Sequence, residues 1–72
     1  MKKVYLVVTL DECFDFDDEY MRRHADCRIL AINSVETSLK DAKRSFNFYD
    51  EYSSLNHAIL VYSDGHLIDF KH

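Results

Sequence analysis

The only glycine in the chain follows Asp64, and the pair stands between two apolar runs, Ala58-Ile59-Leu60-Val61-Tyr62-Ser63 and His66-Leu67-Ile68-Asp69-Phe70. A two-residue loop of type I′ needs positive φ at both central positions, which Asp-Gly tolerates, so the segment reads as a β-hairpin. The loop length sets the register. It pairs Ser63 with His66, Val61 with Ile68 and Ile59 with Phe70, which makes Ile59, Val61, Ile68 and Phe70 one apolar face. The opposite face, Leu60, Tyr62, Leu67 and Asp69, is half apolar.

The remaining elements follow from periodicity. Val4-Tyr5-Leu6-Val7-Val8-Thr9-Leu10 is rich in β-branched residues and apolar on both faces, the pattern of a central strand covered on both sides. Asp17 is placed to cap a short helix reaching about Ala25, with Phe16 and Met21 as its hydrophobic staple. A second strand is expected over Cys27–Asn33. From Ser34 as cap, apolar residues recur at Val35, Leu39, Ala42, Phe46 and Tyr49, one stripe of a helix that runs to Tyr52. Glu36 and Lys40 would form an i,i+4 pair on its outer side.

The order is therefore βαβαββ. The expected fold is a small α/β (or α+β) domain over residues 1–72, with a four-stranded mixed sheet, a C-terminal hairpin and one long helix. Right-handed crossovers give strand order 2-1-3-4, with strand 4 antiparallel at the edge and the helices on opposite faces. A two-layer arrangement, leaving one sheet face for a partner, is the alternative.

Composition narrows the function classes. An apolar fraction of 47%, with five Tyr and five Phe, excludes the disordered class. No stretch approaches the roughly 20 apolar residues that span a bilayer, and Lys2-Lys3 lead directly into a strand, so a cytoplasmic protein without membrane contact is expected. Thirteen acidic against nine basic residues give a net charge of −4, which disfavours direct nucleic-acid binding. Lys40, Lys43 and Arg44, beside Asp41, read as a solvated helix face.

No motif supplies a catalytic residue, a cofactor or a metal. The serines lack a glycine-flanked elbow, and one glycine cannot build a phosphate cradle. Asp15-Phe16-Asp17-Asp18-Glu19 opens like a calcium loop, yet Tyr20 takes the glycine position and Asp26 the last ligand position. His24 and Cys27 have a zinc-ligand spacing, but Cys13 and His57 do not supply the second tight pair of a structural site. Cys13 and Cys27 read as buried or idle thiols.

What stands out is charge clustering. Asp11, Glu12, Asp15, Asp17, Asp18 and Glu19 fall within nine residues that contain no base. Phe48 and Tyr52 lie four apart, off the apolar helix stripe, where exposed aromatics beside charge have the composition of a hot spot. These eight residues are the candidate partner-binding set, and the expected partner is a protein with a basic surface.

Two resemblances bear on function. The order βαβαββ, with Cys13 three residues past strand 1 and an Asp-Gly hairpin late in the chain, resembles the glutaredoxin and thioredoxin family. That likeness implies a thiol enzyme, or a remnant of one, using Cys13. Phe16 stands where the second cysteine of a CxxC would be, and there is no proline to supply the family's cis-proline. In its shortness, acidity and aromatic content the chain is also similar to the accessory proteins of bacteriophages and mobile elements, anti-CRISPR and other anti-defence inhibitors among them. This second likeness implies a stoichiometric inhibitor, not an enzyme, that presents carboxylates to a nucleic-acid-binding surface of a host protein.

Overall fold

A computed structural model describes residues 2–72. In chain order it contains β1 (Lys3–Leu10), α1 (Glu19–Arg23), a 3-10 turn (Ala25–Arg28), β2 (Ile29–Glu36), α2 (Leu39–Tyr52), β3 (Asn56–Ser63) and β4 (His66–Lys71). The four strands form one sheet in the order β2-β1-β3-β4, with β1 inside it as its two-sided apolar pattern requires.

Every neighbouring pair is antiparallel, so the expected mixed sheet is corrected to a fully antiparallel one. The cause lies in the two connections. Residues 11–28 fold back over one sheet face and bring Ile29 opposite Leu10, which starts β2 at the end where β1 stops. Because β2 and β3 are both antiparallel to β1, they run parallel to each other, and α2 links them past the strand between. The crossover helix is present, but its two strands are not neighbours.

Two clusters fill the two faces. On one, Val8, Leu10, Phe14, Ala25, Ala58 and Leu60 are buried, and Leu6, Phe16, Met21, Ile29, Tyr62, Leu67 and Phe70 pack around them. On the other, α2 places Ala42, Phe46 and Tyr49 against Val7, Ile59, Val61 and Tyr5. Leu10, Leu60, Val7 and Val8 are fully enclosed, each worth about 1.5–3 kcal/mol of burial. Tyr62 marks how far the 11–28 connection reaches. Burial pushes its phenol up from the ordinary value, and nearby Asp26 and Cys27 add to that shift.

Several boundaries move from the sequence expectation. β2 occupies Ile29–Glu36, so Ser34 and Val35 belong to a strand, and Ser38 caps α2 by accepting from the Asp41 N–H at 3.2 Å. Val35 therefore leaves the helix stripe and is exposed, and Glu36 and Lys40 lie on different elements. A β-branched residue opposite Leu6 gains a ladder and loses little, whereas the first helical turn needs only one of the two available serines. In α1 the cap is Asp18, not Asp17, and the helix ends at Arg23. Cys27 sits in the 3-10 turn and not in β2, and both cysteines are free and exposed, which corrects the first of the two readings, buried or idle.

The hairpin forms with Asp64 at φ 53° and Gly65 at φ 79°, and Ser63 faces His66 as expected. Beyond Leu67 a bulge intervenes: Val61 faces Asp69 and Leu60 faces Phe70. Ile68 is thereby expelled to 47% exposure and Phe70 joins the face opposite α2, so the expected packing of both against the helix stripe is corrected. Aromatic company explains the slip. Phe70 stacks on Phe14 at 5.7 Å, a contact open only on that face.

Leu60→Ala is expected to lower stability by about 2–5 kcal/mol, while Ile68→Ala should stay within about 0.5 kcal/mol of the parent. Urea unfolding of both variants checks the bulged register; equal losses would restore the unbulged one.

Candidate interaction surface

The acidic stretch alternates. Phe14 and Phe16 point into the core, where their rings meet edge to face at 5.2 Å and Phe16 lies 4.5 Å from the His72 ring. Asp15 and Asp17, between and beyond them, are exposed. A period-2 pattern outside any strand thus fixes which way the carboxylates face. The signal is legible in Phe14-Asp15-Phe16-Asp17, where aromatic and acidic residues alternate.

Four of the six acids also build the connection that carries them. Asp11 Oδ1 accepts from the Cys13 N–H at 3.1 Å, its Oδ2 lies 3.4 Å from Arg28 Nη1, and its carbonyl accepts from Asn56 Nδ2 at 3.0 Å. Asp15 Oδ1 accepts from the Asp17 N–H at 2.9 Å. Asp18 Oδ1 caps α1 through the N–H groups of Tyr20, at 2.9 Å, and Met21, at 3.2 Å. Glu19 pairs with Arg23 at 2.7 Å. Glu12 and Asp17 are exposed and enter none of these side-chain bonds. Part of the self-repulsion of the run is thereby offset by Asx turns and caps.

The second component of the candidate set lies elsewhere. Phe48 and Tyr52 are exposed, with rings 5.0 Å apart, on the outer flank of α2. That helix covers one sheet face, whereas residues 14–19 lie over the β4 half of the other, with Phe14 and Phe16 against Phe70. The structure therefore does not bring the acidic stretch and the aromatic pair onto one surface.

His24 stacks on Tyr20 at 4.3 Å and closes α1. Cys13 lies in the turn shaped by Asp11, whose other oxygen faces Arg28, the base that joins this turn. Among the described residues no group of three or more His, Cys, Asp or Glu side chains is placed to hold a metal ion. On the neighbouring strand, Asp69 would be raised by burial, but the Phe70 N–H and the Lys71 ammonium hold its carboxyl below the usual range.

One feature escaped the sequence. A cleft of about 490 Å³ opens past the end of β4, lined among others by Phe16, Phe46, Asp50, His57 and His72. His57 is buried there with Nδ1 3.5 Å from Asp50 Oδ1 and no hydrogen bond to that nitrogen. No local pattern announces it, because the cleft exists only where β4 stops short of the first residues of β3.

No protein family, curated protein or solved structure matches the chain.

Asp18→Ala should cost about 1 kcal/mol through loss of the cap, and Asp17→Ala should be near neutral. A thermal melt of each separates structural from free carboxylates; equal effects would contradict the assigned cap.

Proposed function

We propose that the chain is a small acidic protein-binding module, a stoichiometric inhibitor that presents carboxylates to the basic, nucleic-acid-binding surface of another protein. The observation that supports this reading is the anchored alternation of residues 14–17: with Phe14 and Phe16 seated in the core, Asp15 and Asp17 face solvent. Preorganised like charges steer encounter with a basic surface and avoid the ordering entropy that a loose acidic loop would lose on binding. Inhibitors of the phage anti-defence type, anti-CRISPR proteins included, are the class this mode of action suits. Thiol chemistry at Cys13, the second function considered, has only the exposure of that residue in its favour.

Glu12 and Asp17 are the positions to reverse, since neither supports the fold. Glu12→Lys with Asp17→Lys should weaken capture of a basic protein from lysate at least about tenfold at physiological salt, with an unchanged melting temperature. Cys13→Ser should capture the same protein as the parent. Undiminished capture by the double reversal would refute the carboxylate reading, and loss in a folded Cys13→Ser protein would transfer the function to the thiol.

A further inference from the structure

Among the described residues, His57 is the buried titratable side chain left without a hydrogen bond. It is 3% exposed, and its Nδ1 stands 3.5 Å from Asp50 Oδ1 without bonding to it. Polar side chains enclosed to this degree ordinarily have a partner. Its Nε2 makes no hydrogen bond either and is not closed off from water, so that nitrogen is the one that opens on the cleft past the end of β4. With Nδ1 turned to a carboxylate, the proton of the neutral ring belongs on Nδ1 and the free lone pair on Nε2.

The other polar groups of the cleft are either committed or acceptors. Asn56 Nδ2 donates to the Asp11 carbonyl at 3.0 Å, and Ser53 Oγ accepts from the Leu55 N–H at 3.2 Å. Asp50 is exposed, and among the described residues no Lys or Arg pairs with it. Lys43 and Lys71 line the neighbouring recess, which shares Phe46 and His72 with the cleft, but neither lines the cleft itself. Its walls are rings: Phe16 and His72, 4.5 Å apart, and Phe46. A volume of about 490 Å³ lies in the range of pockets that hold a small organic group. The cleft therefore offers acceptors and aromatic faces without a competing cation.

We propose that this cleft is a socket for a guanidinium group, carried by an arginine of the basic partner. A guanidinium has several N–H donors and no acceptor, keeps its charge and stacks on aromatic faces. It answers both the acceptors and the rings, whereas a compact, strongly hydrated ammonium answers only the charge. Its head binds the Asp50 carboxylate and His57 Nε2, and its apolar stem lies against Phe46 and Leu55. The proposal rests on the carboxylate reading for the source of the arginine and deepens it. Asp15 and Asp17, on either side of Phe16 in the chain, draw the basic surface in, and the cleft beside Phe16 holds one of its side chains.

Titration of the full chain with Nα-acetyl-arginine amide at physiological salt, followed by NMR at the ring nitrogens of His57 and His72, tests this. The citrulline analogue, equal in length but uncharged, is the control. The arginine probe should shift both rings saturably with a Kd on the order of millimolar, moving His57 Nε2 more than Nδ1, and the citrulline probe should bind at least about tenfold more weakly. Asp50→Asn, at an exposed position, should weaken arginine binding at least about tenfold with an unchanged far-UV circular dichroism spectrum. No saturable shift, equal binding of the two probes, or an Asp50→Asn protein that binds like the parent would overturn the proposal. The carboxylate reading fails on a different result: undiminished capture of a basic protein by Glu12→Lys with Asp17→Lys would refute that reading, while saturable, Asp50-dependent probe binding would leave the socket in place.

Discussion

Enclosure of β1 on both faces is the constraint from which the rest of the architecture follows. Val7 and Val8 point to opposite sides and are both fully buried, so neither face of the sheet centre is left to water. A chain of 72 residues has one long helix to spend, and α2 covers the side of Val7, Ile59 and Val61. The side of Val8, Leu10 and Leu60 falls to residues 11–28, which contain only a five-residue helix and a 3-10 turn. A segment with so little regular structure needs other means of staying closed. It uses Phe14, Phe16 and Met21 as apolar anchors, and aspartates to satisfy its backbone N–H groups.

This division of labour explains why the carboxylates are where they are. Asp11, Asp15 and Asp18 are in part the cost of folding a short connection without glycine or proline, because Asx turns and caps supply what those residues would otherwise provide. Glu12 and Asp17 are not needed for that purpose, which makes them the positions where charge can be reversed without disturbing the fold. Residues 14–19 accordingly lie over β4 on one sheet face, while the exposed Phe48 and Tyr52 lie on α2, over the other.

Elements whose cause is local were legible in the sequence, and those decided by distant contacts were not. The Asp64-Gly65 turn, the two-sided burial of β1 and the Ala42-Phe46-Tyr49 stripe all follow from residues next to one another or one period apart, and the strand order agrees with the expected one. The all-antiparallel pairing was missed because a β-α-β order suggests parallel strands, whereas residues 11–28 return the chain to the end where β1 stops, so that β2 runs back along it. The bulge at Ile68 was missed for a similar reason. It is the stacking of Phe70 on Phe14, more than fifty residues away in sequence, that draws the strand out of the register set by its turn. Phe48 and Tyr52 were readable as exposed because they lie off the buried stripe of α2.

That the acidic stretch is a fixed platform is most directly tested by amide hydrogen exchange on the isolated chain. The N–H groups of Cys13, Asp17, Tyr20 and Met21 donate to Asp11, Asp15 and Asp18, and that of Phe14 donates to the Asp11 carbonyl. If these bonds hold the carboxylates in place, all five amides will exchange well below the rate of an unstructured peptide, and Asp18→Ala will release Tyr20 and Met21 while leaving Phe14 protected. Exchange of all five at unstructured-peptide rates, with the β1–β3 ladder still protected, would show a loose acidic loop and contradict the platform.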